Sequence, residues 1–227
     1  MSRIVFDIET AGVEFDTLDV AQQEYWLRFA DSEEDAAAVR EKLGLYPLTS
    51  EVVALGLYNP DSRKGAVYYQ GADGEAASEE EGMRFEPATE RGILEKFWEV
   101  VPRYDAFVTF NGRSFDCPFL IIRSAIHRIK PTRELLPNRF LGPHIDLMDR
   151  LTFFGATRRK YSLDMWCRAF GIESPKDHGV SGGDVKQLFA SGRCLEIARY
   201  CGRDLVATAD LLAYYEEYVK FAPREGK

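Results

Sequence analysis

No stretch of about 18 consecutive apolar residues occurs in the chain, which excludes a membrane-spanning helix on length. The opening "MSRIVFDIET" lacks the long apolar run of a secretory signal and passes directly into a strand-like pattern. Cysteine is scarce: Cys117, Cys167, Cys194 and Cys201 include no CxxC pair. Without a secretion signal they read as reduced thiols, and the expected location is cytoplasmic. Cys194 and Cys201 fall about two turns apart in one predicted helix, which suits packing better than zinc. Histidine is scarcer still, and neither His127, His144 nor His178 belongs to a metal cluster. Only His178 stands in a loop with reach toward a substrate. No internal repeat or low-complexity linker divides the chain, so one domain is expected over residues 1–227.

What is present suffices for a core. The chain has 227 residues, and 45% of them are apolar. The net charge of −8 argues at first against a nucleic-acid partner, but the charge is unevenly divided. Residues 1–100 hold 9 Lys and Arg against 22 Asp and Glu, a net of −13. Residues 101–227 hold 20 against 15, a net of +5. Either this is uneven surface decoration, or an acidic outer region accompanies a cationic face. An acidic first half also suits docking of a protein partner.

"RIVFDIET" reads as a first strand, rich in β-branched and aromatic residues. Residues 13–50 follow as a helical insertion, its charged, Ala-rich stretch 20–43 forming one or two exposed helices. "EVVALGLY" and "GAVYYQG" form a hairpin around the turn "NPDSRK". "GADGEAASEEEGMRFEP", residues 71–87, is rich in Gly and Glu and reads as a loop. An amphipathic helix starts at Thr89 and stops at Pro102. "DAFVTFNG" is a fourth strand, followed by a helix from about 115 to 129 with Pro118 in its first turn. "HIDLMDRL" supplies a short fifth strand running into a helix, and residues 162–170, 182–190 and 193–221 read as three more. The fold class is α/β, with a mixed five-stranded sheet flanked by helices.

Asp7 and Glu9 point to the same side of strand one, because side chains alternate with period two. Two charges there are costly to bury unless something cationic sits with them. Asp116 opens the helix after strand four, and Tyr200 precedes Asp204 by one helical turn. In open α/β sheets, functional groups gather beyond the carboxyl ends of strands, where Asp7, Glu9 and Asp116 fall. Carboxylates without His or Cys partners suit Mg²⁺ or Mn²⁺. Two such ions about 3.5–4 Å apart are the machinery for in-line attack on a phosphodiester. Taken singly, each acid has a plainer explanation, such as a helix cap at Asp116. Their order along the chain is the informative feature.

"FDIET", "FNGRSFDCPFL" and "YCGRD" together resemble the three motifs of the DEDD superfamily of 3′–5′ exonucleases, which have a ribonuclease H-like fold. Tyr-x-x-x-Asp at Tyr200 and Asp204 matches the tyrosine branch; the histidine branch would place His where this chain has Arg199. With "HIDLMDRL" and "SLDMWCRAFGI" downstream, the chain is most similar to predicted exonucleases related to the proofreading domain of family B DNA polymerases. The likeness spans nearly all of it, residues 13–50 and 72–88 matching least. The resemblance implies that Asp7 bridges two divalent cations, Glu9 and Asp204 hold the first, and Asp116 holds the second. It implies that Tyr200 orients the attacking water, and none of the five positions departs from the pattern.

Thr10, Asn111, Phe115, Arg158 and Lys160 are candidate substrate contacts. Asn111 either bonds the sugar-phosphate near a 3′ end or forms an Asn-Gly turn. Phe115 either wedges against a terminal base or belongs to the apolar helix stripe. Arg158, Arg159 and Lys160 form the densest basic run, a phosphate contact or a solvated loop. The resemblance implies a single-stranded nucleic acid substrate, DNA before RNA, released as nucleoside 5′-monophosphates. An RNA 3′-trimming enzyme and a non-catalytic binding module on the same fold are the alternatives.

Overall fold

The computed structural model describes residues 1–72 and 74–221, the side chain of residue 178 excepted. Strand β1 (Arg3–Gly12) lies inside a seven-stranded mixed sheet. Its neighbours are β2 (Ser50–Asn59), antiparallel, and β6 (Ala106–Thr109), parallel. Beyond β2 come β3 (Lys64–Gln70) and then β5 (Met83–Ala88) and β4 (Ser78–Glu80). Beyond β6 comes β7 (His144–Asp146), again parallel.

The order β3-β2-β1-β6-β7 is the five-stranded ribonuclease H-like arrangement expected from the sequence. The expected strand count falls short by two. Residues 71–87 are not a loop throughout: β5 pairs in parallel with β3, and β4 pairs with β5. Strand β4 is a three-residue polar edge with no apolar residue to mark it. The short alternation of β5, Met83 and Phe85 against Arg84 and Glu86, is interrupted by Pro87 and set in a Gly- and Glu-rich stretch.

Two short helices, α1 (Val20–Leu27) and α2 (Glu33–Glu41), fill the segment between β1 and β2. Asp19 and Ser32 cap them, and only Ala36 is buried in either. One face of the sheet is covered by α3 (Glu90–Val100), capped by Thr89, and α4 (Asp116–Ile126). Ile93, Phe97, Phe119 and Leu120 pack there against Ile4, Phe6 and Ile8 of β1.

The other face carries α5 (Leu147–Leu151), α6 (Leu163–Phe170), α7 (Val185–Ala190) and α8 (Cys194–Tyr214). Ile197, Cys201, Leu205 and Leu212 of α8 pack against Val5, Ala54 and Val108. Helix α8 lies close to the sheet because β2 has a glycine at the crossing. A Cβ at Gly56 would stand 2.3 Å from Leu205 Cδ1 and 3.1 Å from Cys201 Sγ. Gly56 is the register partner of Asp7, so the closest approach of helix to sheet occurs beside the first acidic residue.

Candidate active site

Alternation along β1 sends Ile4, Phe6 and Ile8 into the α3–α4 core, and Val5 toward α8. Asp7 and Glu9 share the parity of Val5 and emerge on the α8 side. The β1–β2 register shifts between Glu9 and Thr10, a bulge that redirects the strand immediately after the pair. From α8, Asp204 meets them: one carboxylate oxygen each from Asp7, Glu9 and Asp204 lies within 4.8 Å of the others. Cys201, one turn from Asp204 on α8, touches Asp7 through its sulfur, at 3.9 Å from Oδ2.

Asp116 stands beside this group rather than within it. Its Oδ1 accepts the N–H of Ile8 at 3.1 Å, and its side chain is buried. The last pair of β1 with β6 is Val5 with Val108, so the Ile8 amide lies beyond the end of β6 and takes Asp116 instead.

The electrostatics of this cluster are unfavourable by themselves. Burial pushes the Asp7 carboxyl well above its ordinary range, and Asp116, Asp204 and Glu9 push it further. Glu9 is raised by burial and then by Asp204 and Asp116. Burial takes Asp116 and Asp204 each up to about 7. Among the described residues, none of the four pairs with a Lys, Arg or His. Asp204 Oδ1 is buried with no hydrogen-bond partner. Desolvated carboxylates without a counter-charge are costly, and a divalent cation is the partner their oxygens suit. The residues present fit such an ion.

Tyr200 is buried one turn before Asp204. Burial, then the charges of Asp204, Glu9 and Asp7, hold its phenol well above the usual tyrosine range. The hydroxyl is therefore protonated at neutral pH and acts by hydrogen bonding. The Arg203 guanidinium lies over its ring at 5.8 Å.

A cleft of about 830 Å³ adjoins the cluster, its walls including Glu9, Thr10, Phe115, Gly182 and Lys186. Phe115 is half-buried, set against Phe119 at a ring separation of 5.4 Å, so it both packs on the core and faces the cleft. The Thr10 hydroxyl donates to the Gly44 carbonyl at 2.7 Å, which ties β1 to the α2–β2 connection. Asn111 adopts the left-handed conformation (φ 64°) and forms the turn, while its side-chain amide has no partner among the described residues. Arg158 and Lys160 are exposed and unpaired among the described residues. The side chain of His178 lies outside the described residues.

One residue of this region was not singled out from the sequence. Asp146, buried at the end of β7, accepts N–H groups of Asn111 at 3.0 Å, Arg113 at 2.9 Å and Met148 at 3.0 Å. It fixes the turn that leads into Asp116. Its sequence signal, an Asp between a strand and a helix, is that of an ordinary helix cap. Nearby, the buried His144 is pushed down to about 3 by burial, so it is neutral, and its Nε2 lies 2.8 Å from Thr109 Oγ1.

Comparison with known proteins agrees with this geometry. Residues 79–222 match the family described as predicted 3′–5′ exonuclease related to the exonuclease domain of PolB. The matched range takes in β5 and the sites of Asp116, Tyr200 and Asp204, so the segment 79–88 belongs to the family pattern. By sequence alone, no curated protein matches the chain. Among solved structures, the fold is similar to the family B DNA polymerase of the hyperthermophilic archaeon Pyrobaculum calidifontis. That likeness has a TM-score of 0.61 at 17% identity and covers 95% of this chain and 24% of the polymerase chain. With a matching family model over most of its length, the chain belongs to the predicted 3′–5′ exonucleases related to the exonuclease domain of PolB.

Proposed function

We propose that the protein is a metal-dependent 3′–5′ exonuclease that shortens single-stranded nucleic acid, DNA in preference to RNA, releasing nucleoside 5′-monophosphates. The supporting observation is the meeting of Asp7, Glu9 and Asp204 in one largely buried group, none of the three forming an ion pair among the described residues. Asp7, Glu9 and Asp204 would hold the first divalent cation, and Asp7 with Asp116 the second. Such ions supply an activated water and charge stabilisation on the scissile phosphate.

The chain's own groups do the rest. Tyr200 keeps its proton and positions the attacking water by hydrogen bonding. Phe115, on the cleft wall beside Glu9, stacks against the terminal base. The Asn111 amide, carried on the turn held by Asp146, reaches the sugar-phosphate of the last nucleotide. Arg158 and Lys160 contact phosphates farther from the end.

The test is a 5′-labelled DNA strand and the equivalent RNA, incubated with Mg²⁺ or Mn²⁺. A ladder shortening from the 3′ end is expected, faster on DNA, abolished by chelator and by Asp7→Ala. Equal trimming by Asp7→Ala and wild type would contradict the proposal. Binding of both strands without shortening would favour a non-catalytic module.

A further inference from the structure

Residues 136–162 present an exposed surface outside the Asp7, Glu9 and Asp204 group. Its acids, Asp146 and Asp149, are both buried, whereas Arg139, Arg150, Arg158, Arg159 and Lys160 all carry positive charge. Asp149 is paired with Arg139, Nε to Oδ2 at 2.6 Å. The outward charge of the segment is therefore of one sign.

The same segment exposes large apolar side chains. Phe140 is 59% exposed, Leu141 90% and Phe153 52%. The Asn138 side chain accepts the N–H groups of Phe140 and Leu141 at 2.9 and 3.1 Å, a turn that projects both outward. The Phe140 ring lies 4.8 Å from that of Phe154, which has the guanidinium of Arg150 at 5.0 Å and of Arg139 at 5.9 Å. Phe153 and Phe154 both adopt left-handed backbone conformations, φ 50° and 57°, which bulky side chains rarely do. Strain of this kind is usually retained where a side chain has work to do.

The patch is continuous with the catalytic region. Strands β6 and β7 run parallel, so residues 147–162 follow β7 at the edge where Asp116 stands. The turn 138–141, which precedes β7, is tied to them by the Arg139–Asp149 pair and the Phe140–Phe154 contact. Arg113, in the turn before Asp116, donates through Nη2 to the Pro137 carbonyl at 2.8 Å.

The geometry points to a base-stacking platform: Phe140, Leu141 and Phe153 receive bases of the single strand upstream of its 3′ end. The surrounding arginines and Lys160 receive its phosphates. Exposed aromatics interleaved with cations are how single strands are held without sequence preference. The all-positive outward charge selects a polyanion over a neutral or basic peptide. This inference rests on the proposed exonuclease reading for the direction of the strand.

The test is fluorescence anisotropy with 5′-fluorescein-labelled oligothymidylate in chelator, comparing wild type with Phe140→Ala/Phe153→Asn. Asn tolerates the left-handed backbone and so preserves the turn. The expected result is an affinity lowered about ten-fold or more, the scale of one or two lost stacked bases. Unchanged affinity, or no strand binding by the wild type, overturns the platform and points to a protein partner for this surface. In parallel, hydrolysis of the p-nitrophenyl ester of thymidine 5′-monophosphate with Mn²⁺ reads the catalytic cluster alone. Equal ester hydrolysis in both proteins is expected; a variant that loses it together with binding has lost its fold, and Phe153→Asn alone must then reproduce the binding defect or the platform fails. A wild type that binds the strand but leaves the ester intact refutes the exonuclease reading and leaves the platform standing.

Discussion

Asp116 Oδ1 accepts the backbone N–H of Ile8, the residue that separates Asp7 from Glu9, at 3.1 Å. One carboxylate thereby ties the start of α4 to the strand that carries the two other acids. Oδ1 fixes the backbone of β1, and Oδ2 is the atom that the proposed second cation would take.

Asp116→Asn and Asp116→Ala should therefore separate structure from chemistry. Both are expected to lose at least about 10³-fold in rate, as for removal of a group central to charge stabilisation. Only the alanine variant orphans the Ile8 amide, costing about 1–3 kcal/mol. Denaturant unfolding without metal measures this, the asparagine variant being the more stable of the two.

The raised carboxylates make stability pH-dependent in a definite direction. Asp7, Glu9, Asp116 and Asp204 bind protons more tightly folded than unfolded, so the metal-free protein loses their contribution as pH rises. For Asp204 the window runs from its unfolded value near 4 up to about 7. The neutral His144 works oppositely, its contribution fading as pH falls below about 6.5. The difference in Tm between Asp204→Asn and wild type in chelator isolates the first effect. It is expected to grow in favour of the variant between about pH 5 and about pH 7, and to shrink when Mg²⁺ is added.

Tyr200→Phe keeps the buried ring and removes only the hydroxyl. A fall in kcat of about 10²-fold is expected, the low end for a group that handles the reacting proton. KM for a short strand and the affinity for Mn²⁺ should stay at wild-type values.

Gly56→Ala tests how α8 is seated. The added methyl would meet Leu205 Cδ1 at 2.3 Å, and the core around Leu205 is closed. A loss of about 1–3 kcal/mol is expected from overpacking. Because the displaced helix carries Tyr200 and Asp204, activity should fall with it, as chemical denaturation and strand cleavage measured together would reveal.

Much of this was legible in the chain. Alternation in "IVFDIET" placed Asp7 and Glu9 on one side of β1, and the spacing of Tyr200 and Asp204 placed both on one flank of α8. What escaped did so for physical reasons. Strand β4 is three polar residues that pair only because β5 lies beside them, and β5 is a six-residue strand interrupted by Pro87 within a Gly- and Glu-rich stretch. Asp146 meets Asn111 and Arg113 across more than thirty residues, and nothing local distinguishes that role from a cap. Phe140 and Phe153 keep no period at all, so only their position in space marks them.

The direct test is manganese binding followed by electron paramagnetic resonance in the wild type and in Asp7→Asn, with folding of both checked by circular dichroism. Tight binding that the single substitution removes from an otherwise native protein is the expected result. Equal Mn²⁺ occupancy in the two proteins would contradict the claim that these acidic oxygens form the catalytic cation site.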